Sequence, residues 1–188
     1  MKSKLIVALF IGAVLSFTTN AQNVTVSGAT FPAKFKISDK VVEYNGAGLR
    51  QKYFFDLYVS ALYVPKRTSD AQTIIDQNEE SAMRLKILSD KVTRDKFLET
   101  VKGGFSTSTE GKASNEEIEG FMKIFKEDFK SGDEVILLYK PESGIEVYHN
   151  GKHLGGAKGL EFKKALWGIW LGKTPVDEGV KNAMLVKV

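Results

Sequence analysis

Hydrophobic and polar residues alternate through the first third of the chain, recur at three- and four-residue steps through the middle, alternate again, and finish on helical spacing. A two-residue period marks a strand with one face buried, and a 3.6-residue period marks a helix with one apolar face. On this basis Val24–Val26 and Phe31–Ile37 read as short strands punctuated by Gly28 and Pro32, and Lys40–Tyr44 as another that runs into a glycine turn at Asn45–Arg50. Tyr53–Phe55 and Leu57–Val64 continue the alternation as a half-buried strand, rich in the aromatic and branched residues that fit a pleated surface. Pro65 ends that strand. Asp70–Gln77 then fits a short helix with Ser69 as a possible cap, and Ala82–Leu88 returns to strand alternation.

The middle of the chain is helical. Val92, Phe97, Leu98 and Val101 share helical spacing, Thr93 is a suitable start and Gly103-Gly104 a stop, with an exposed loop from Ser106 to Ala113. Ser114 or Asn115 begins a second helix whose stripe of Ile118, Phe121, Met122, Phe125 and Phe129 runs on to Gly132 and reads as core or pocket lining. Val135–Tyr139 and Gly144–His149 form a hairpin, and the Asn150-Gly151 turn leads to a short further strand. Leu160–Leu171 is a helix closed by Gly172 and Pro175, and a last helix starts near Asp177 and reaches about Leu185. Without internal repeat, linker or composition break, the economical reading is a single α+β domain over residues 22–188.

Residues 1–21 stand apart from this pattern. Lys2 and Lys4 precede an apolar run from Leu5 to Phe17, and Thr19-Asn20-Ala21 suits cleavage after Ala21, the layout of a secretory signal peptide. The run is shorter than the roughly 20 residues that span a bilayer, so no stable membrane span is expected after cleavage. The chain contains no cysteine, which excludes disulfides, thiol chemistry and a lipoprotein anchor. A periplasmic or secreted protein is expected. Without Lys2 and Lys4 the charge is nearly balanced and interleaved, unlike the basic stripe of a nucleic-acid binder.

Several chemical motifs fail on their spacing. Gly104 to Gly111-Lys112 has six residues between the glycines where a phosphate-binding loop has four, and Ala113 stands where that loop needs a hydroxyl. His149 and His153 flank a hairpin turn and have no third ligand nearby in sequence, so no metal is expected. Gly46 and Gly48 lack the third glycine of a dinucleotide fingerprint, Glu116 and Glu117 project from different faces of a helix, and no nucleophile elbow accompanies the serines. Nothing in the sequence asks for a cofactor.

What survives is Arg50 beside the glycines. Glycine permits close backbone approach, and a guanidinium offers a planar fork of donors to a carboxylate or enolate oxygen; an ordinary solvated or paired surface arginine is the other reading. Asn45-Gly-Ala-Gly-Leu-Arg50, Leu62-Tyr63-Val64, and Ile169-Trp170-Leu171-Gly172 followed by Pro175-Val176 occur in an order that resembles the chalcone isomerase-like family, in particular its bacterial secreted members. The resemblance spans most of the mature chain. It implies an open-faced, mostly antiparallel sheet packed against a layer of helices, with a ligand cleft between them and Arg50 at the ligand's oxygen or carboxylate. It also implies one of two activities: cyclisation of a chalcone, or binding of a fatty acid.

Only the arginine of the enzyme's site is retained. Tyr58 stands near the place of a threonine, Thr93 and Thr100 at the places of a tyrosine and an asparagine, and Ile169 at that of a further hydroxyl. An arginine paired with a tyrosine is what the resemblance implies for the fatty-acid-binding branch, and Tyr58 can supply that hydroxyl, although a tyrosine on a strand equally often fills a core. The expected function is therefore non-catalytic binding of a fatty acid or similar amphipathic carboxylate, with Arg50, Tyr58, Thr93 and Thr100 as site residues. The alternatives are an isomerase or lyase in which Arg50 stabilises an enolate, and a structural or partner-binding envelope protein.

Overall fold

The computed structural model describes residues 22–185; the expected signal peptide lies outside them. Nine strands and five helices follow in the order β1 (Asn23–Val26), β2 (Ala29–Pro32), β3 (Lys34–Ile37), β4 (Lys40–Lys52), β5 (Phe55–Val64), α1 (Ala71–Asp76), β6 (Ser81–Ile87), α2 (Arg94–Thr107), α3 (Asn115–Lys123), β7 (Glu134–Lys140), β8 (Gly144–His149), β9 (Lys152–Ala157), α4 (Leu160–Leu171) and α5 (Glu178–Met184). Strands β3 to β9 form one open antiparallel sheet in which every neighbour in space is a neighbour in sequence order, and β1 pairs only with β2. This is the α+β, open-faced sheet with a helical layer that the sequence led us to expect. Among the described residues no helix is long and apolar enough to cross a membrane.

The sheet buries both faces. Tyr58, Leu62, Met83, Leu85, Leu137 and Val147 face the helices, together with Phe97, Phe121, Phe162 and Trp167. Val59, Ala61, Tyr63 and Ala82 form a second cluster on the back, under Phe31 and Ala29 of the β1–β2 hairpin. Strand β5 is thus buried on both sides over most of its length, where its alternation suggested one buried face. The residues that point backwards are themselves apolar because a hairpin, instead of water, covers them.

Four further differences from the sequence reading have physical causes. The stretch from Asn45 to Arg50 is the interior of β4, not a turn. Gly103 and Gly104 lie inside α2, which runs on to Thr107. A Cβ on Gly104 would collide with the Ile169 side chain, so this glycine lets α2 and α4 approach instead of ending a helix. Helix α3 stops at Lys123, leaving Phe125 and Phe129 on irregular chain, where Arg94 Nε donates to the Phe125 carbonyl at 2.6 Å. The first helix is capped by Asp70, which accepts from Gln72 and Thr73, where Ser69 had been a candidate. By contrast Leu160–Leu171 has the bounds the sequence gives it, and Asp177 caps α5 by accepting from Val180 N at 3.0 Å.

Candidate functional site

Two irregularities frame the glycine–arginine stretch. Asn45 and Leu57 are each an extra residue against the partner strand, since Tyr44 pairs with Tyr63 but Gly46 with Leu62, and Arg50 pairs with Tyr58 but Gln51 with Asp56. Bulges of this kind re-aim the side chains that follow. Between them Gly46, Gly48 and Arg50 point to the helical side of the sheet. A Cβ at Gly48 would lie 2.6 Å from the Cα of Val180, and one at Gly46 would collide with the carbonyl of Ala183. The two glycines therefore form a trough in which α5 lies directly on the strand. Asn45 fixes its far end: Nδ2 donates to the carbonyls of Met184 (2.8 Å) and Thr68 (2.9 Å), and Oδ1 accepts from Thr68 N. Two positions beyond Gly48, where the trough ends, Arg50 emerges near the connection that precedes α5.

At that point a cleft of about 700 Å³ opens between the β4–β5 end of the sheet, α2 and the α4–α5 connection. Leu57, Val92, Phe97 and Val176 supply apolar wall, with Arg50, Tyr58 and Thr100 among them. The α4–α5 wall is held by three bonds: Thr174 Oγ1 to the Thr107 carbonyl at 2.9 Å, Val176 N to the Ile169 carbonyl at 2.8 Å, and Lys181 Nζ to the Gly172 carbonyl at 2.7 Å.

Arg50 and Tyr58 are direct cross-strand partners on the same face, with the guanidinium carbon 5.7 Å from the centre of the Tyr58 ring. Among the described residues no carboxylate forms a salt bridge with Arg50. Tyr58 is buried, and its hydroxyl accepts from Trp170 Nε1 at 3.3 Å. Burial raises the pKa of that hydroxyl above the ordinary phenol value, with Arg50 and Trp170 pulling it part of the way back. Tyr58 is therefore a neutral donor at physiological pH, and because Trp170 already occupies one of its lone pairs, its own hydrogen is available to an acceptor. A planar cationic fork and a neutral hydroxyl thus stand side by side on an apolar wall.

The other expected residues divide. Thr100 lines the cleft, with its hydroxyl donated back to the Lys96 carbonyl at 2.8 Å. Thr93 is the N-cap of α2, accepting from Lys96 N, and is not among the cleft-lining residues. A threonine before an amphipathic helix satisfies an orphan backbone N–H, and this role accounts for Thr93. The Phe121–Phe129 segment, read from the sequence as core or pocket lining, is core and lines no part of this cleft: Phe97, Phe121, Phe125 and Phe129 pack edge to face at ring separations from 5.0 to 6.1 Å, and Phe105 and Phe162 extend the cluster. His149 Nε2 lies 2.9 Å from Asp133 Oδ2, and His153 stands opposite Tyr148 on β9.

Two residues with evident work were given no site role in the sequence reading, although Trp170 belongs to the Ile169–Gly172 motif. Trp170 orients Tyr58; the available signal was that a buried indole N–H needs an acceptor. Lys163 is fully buried, with Nζ donating to the carbonyls of Ile74 (2.7 Å), Ile75 (2.9 Å) and Gln77 (2.9 Å) at the end of α1. Burial pushes its pKa down to about 7, against a smaller upward pull from Asp76. It closes α1 and lies away from the cleft.

Comparison with known proteins agrees with this architecture. No curated protein matches the sequence. Among solved structures, a fatty-acid binding protein of Arabidopsis thaliana superimposes with a TM-score of 0.70 at 18% identity, over 87% of this chain and 96% of the plant chain. At that identity the likeness speaks for the fold. The sequence profile described as chalcone isomerase-like matches residues 23–186, the whole of the sheet and all five helices, and the chain belongs to the chalcone isomerase-like family.

Proposed function

We propose that this protein binds a fatty acid or a similar amphipathic carboxylate, with the head group at Arg50 and Tyr58 and the apolar tail in the cleft. The observation that carries the reading is the cross-strand pairing of a guanidinium with a buried, oriented hydroxyl on the apolar wall of a cleft of about 700 Å³. That volume lies in the range of small-molecule sites. A carboxylate takes two donors from the guanidinium fork and one from Tyr58, while each buried methylene of the tail contributes about 0.8 kcal/mol. The plant relative of the same fold, being a fatty-acid binding protein, supports the ligand class. Thr100 lines the wall farther along, with its hydroxyl hydrogen held by the Lys96 carbonyl. The layout of residues 1–21 supports export, with a mature chain beginning near Gln22, which amino-terminal sequencing of the exported protein checks.

Titration calorimetry tests the head-group assignment. Arg50→Ala is expected to weaken binding of a long-chain fatty acid by roughly 1.5–3 kcal/mol, the range for a hydrogen bond to a charged group. Arg50→Lys recovers only part of this, because an ammonium has no fork. The methyl ester of the acid should bind the native protein more weakly and be nearly indifferent to the substitution. Equal losses for acid and ester would show that Arg50 acts through structure, and an unchanged acid affinity would move the head group elsewhere.

A further inference from the structure

The β4–β5 hairpin ends in three consecutive aromatic residues that neither the core nor the turn accounts for. Lys52 pairs with Phe55, so Tyr53 and Phe54 form the two-residue loop. Phe54 is fully exposed, Tyr53 is 84% exposed and Phe55 48% exposed. Tyr53 also has φ of 56°, a left-handed conformation that a bulky residue rarely adopts. The β8–β9 hairpin shows what a turn chosen for folding looks like: it uses Asn150-Gly151, both at positive φ. At the β4–β5 tip the chain instead exposes large apolar rings and accepts a strained backbone. A tip of this composition has a use outside the folded chain.

Its surroundings indicate what it meets. The tip forms the lip of the cleft, since Lys52, Tyr53 and Phe55 are among the lining residues. Lys52 Nζ lies 5.9 Å from the centre of the Tyr53 ring, and Lys91 Nζ lies 5.6 Å from that of Phe55. Of the charged side chains lining the cleft, Arg50, Lys52, Lys91 and Lys96 are cationic and only Glu99 is anionic. Asp56, one pair behind the tip, is engaged by Gln51 at 2.6 Å. Aromatic rings with lysine ammonium groups over them match the boundary of an anionic bilayer, where rings sit at headgroup level and ammonium groups meet phosphates.

We propose that the Tyr53-Phe54-Phe55 tip docks the protein on an anionic lipid surface, with the mouth of the cleft turned towards the membrane. Phe54 inserts at the headgroup boundary, and Lys52 and Lys91 pair with lipid phosphates. An amphipathic ligand can then pass between bilayer and cleft with its tail shielded from water. The docking itself goes beyond the proposed binding function and does not depend on an occupied cleft.

Co-sedimentation with phosphatidylcholine vesicles, with and without phosphatidylglycerol and free of fatty acid, tests the proposal. The native protein is expected to pellet with the phosphatidylglycerol-containing vesicles and to be released by salt. Phe54→Gly should lower the partition coefficient roughly tenfold or more, the loss of one buried phenylalanine side chain. Its thermal stability should change little, because the Phe54 side chain is fully exposed and packs against nothing in the fold, and its affinity for a soluble short-chain fatty acid should be kept, because Phe54 does not line the cleft. The Lys52→Gln/Lys91→Gln variant should lose the preference for anionic vesicles. Phe54→Trp should shift its emission to the blue on those vesicles. The proposal is overturned if the native protein stays in the supernatant or if Phe54→Gly partitions like the native chain. It is equally overturned if the native protein is a dimer in solution that Phe54→Gly converts to a monomer, since the tip then covers a second copy.

Discussion

Two aromatic stretches of similar sequence character do opposite things in this molecule. On α2, Phe97 stands beside Thr100, Gly103 and Gly104, and on that side the chain leaves an open cleft. Phe125 and Phe129 instead pack edge to face against Phe97, with Phe121 against Phe125 behind them, at ring separations from 5.0 to 6.1 Å. Both read as apolar stripes. What separates them is the volume of their neighbours: glycine and threonine on one side, further phenylalanines on the other. A binding cleft here is a place where small residues interrupt an aromatic core.

The sharpest way to break that comparison is to hollow out the packed half. Phe121→Ala removes a ring that touches Phe105, Phe125 and Phe162 and should cost about 3–5 kcal/mol in urea unfolding, while the protein that remains folded keeps its fatty-acid affinity. A small loss would mean that the cluster can relax as the cleft does. The packed half also hides a charge. With its folded pKa lowered to about 7 from an ordinary 10.5, Lys163 carries a proton in the unfolded chain that the folded chain sheds above about pH 7. Stability should therefore rise between about pH 7.5 and 9.5, by at most about 1.4 kcal/mol per pH unit, and Lys163→Met should flatten the slope; urea midpoints across that range decide it.

Smaller effects probe the boundary itself. Gly104→Ala would drive a methyl group into Ile169 and should destabilise by about 1–3 kcal/mol. At the cleft, Tyr58→Phe should reduce fatty-acid affinity by about 1.5 kcal/mol, the lower end of the range for a hydrogen bond to a charged group, measured by calorimetry beside Arg50→Ala. Least of all, Gly103→Ala meets nothing within 4 Å and should stabilise the helix by about 0.5–1 kcal/mol, visible in the melting temperature. Opposite signs for two adjacent glycines would confirm that one faces packed chain and the other open space.

The sequence was most legible where local chemistry decides structure. The capping box that begins α3 at Ser114, the Asn150-Gly151 turn and the 160–171 helix all follow from residues within one or two turns. It was least legible where the deciding partner is remote. Gly46 and Gly48 read as a turn because nothing near them in sequence reveals that Val180 and Ala183 press on their backbone. Thr93 carried two meanings, cap and ligand, and only the first has geometric support, whereas Arg50 and Tyr58 reach one wall because two bulges, invisible to periodicity, set their register. Phe54 illustrates the converse: its exposure follows from a two-residue loop that alternation alone ran through as strand.

The bond from Asn45 to Met184 joins residues 139 positions apart, and it anchors the helix lying in the glycine trough beside Arg50. Closing so long a loop is entropically costly and pairs elements that cannot meet until the intervening sheet and helices have collapsed. The consecutive hairpins of the sheet, by contrast, form from neighbours. The trough beside Arg50 is thus completed by one of the most distant contacts in the chain. On the proposed reading, ligand capture reports finished folding: a molecule whose sheet is formed but whose α5 has not seated would present the Arg50–Tyr58 pair without the 174–176 wall of the cleft that leads into that helix.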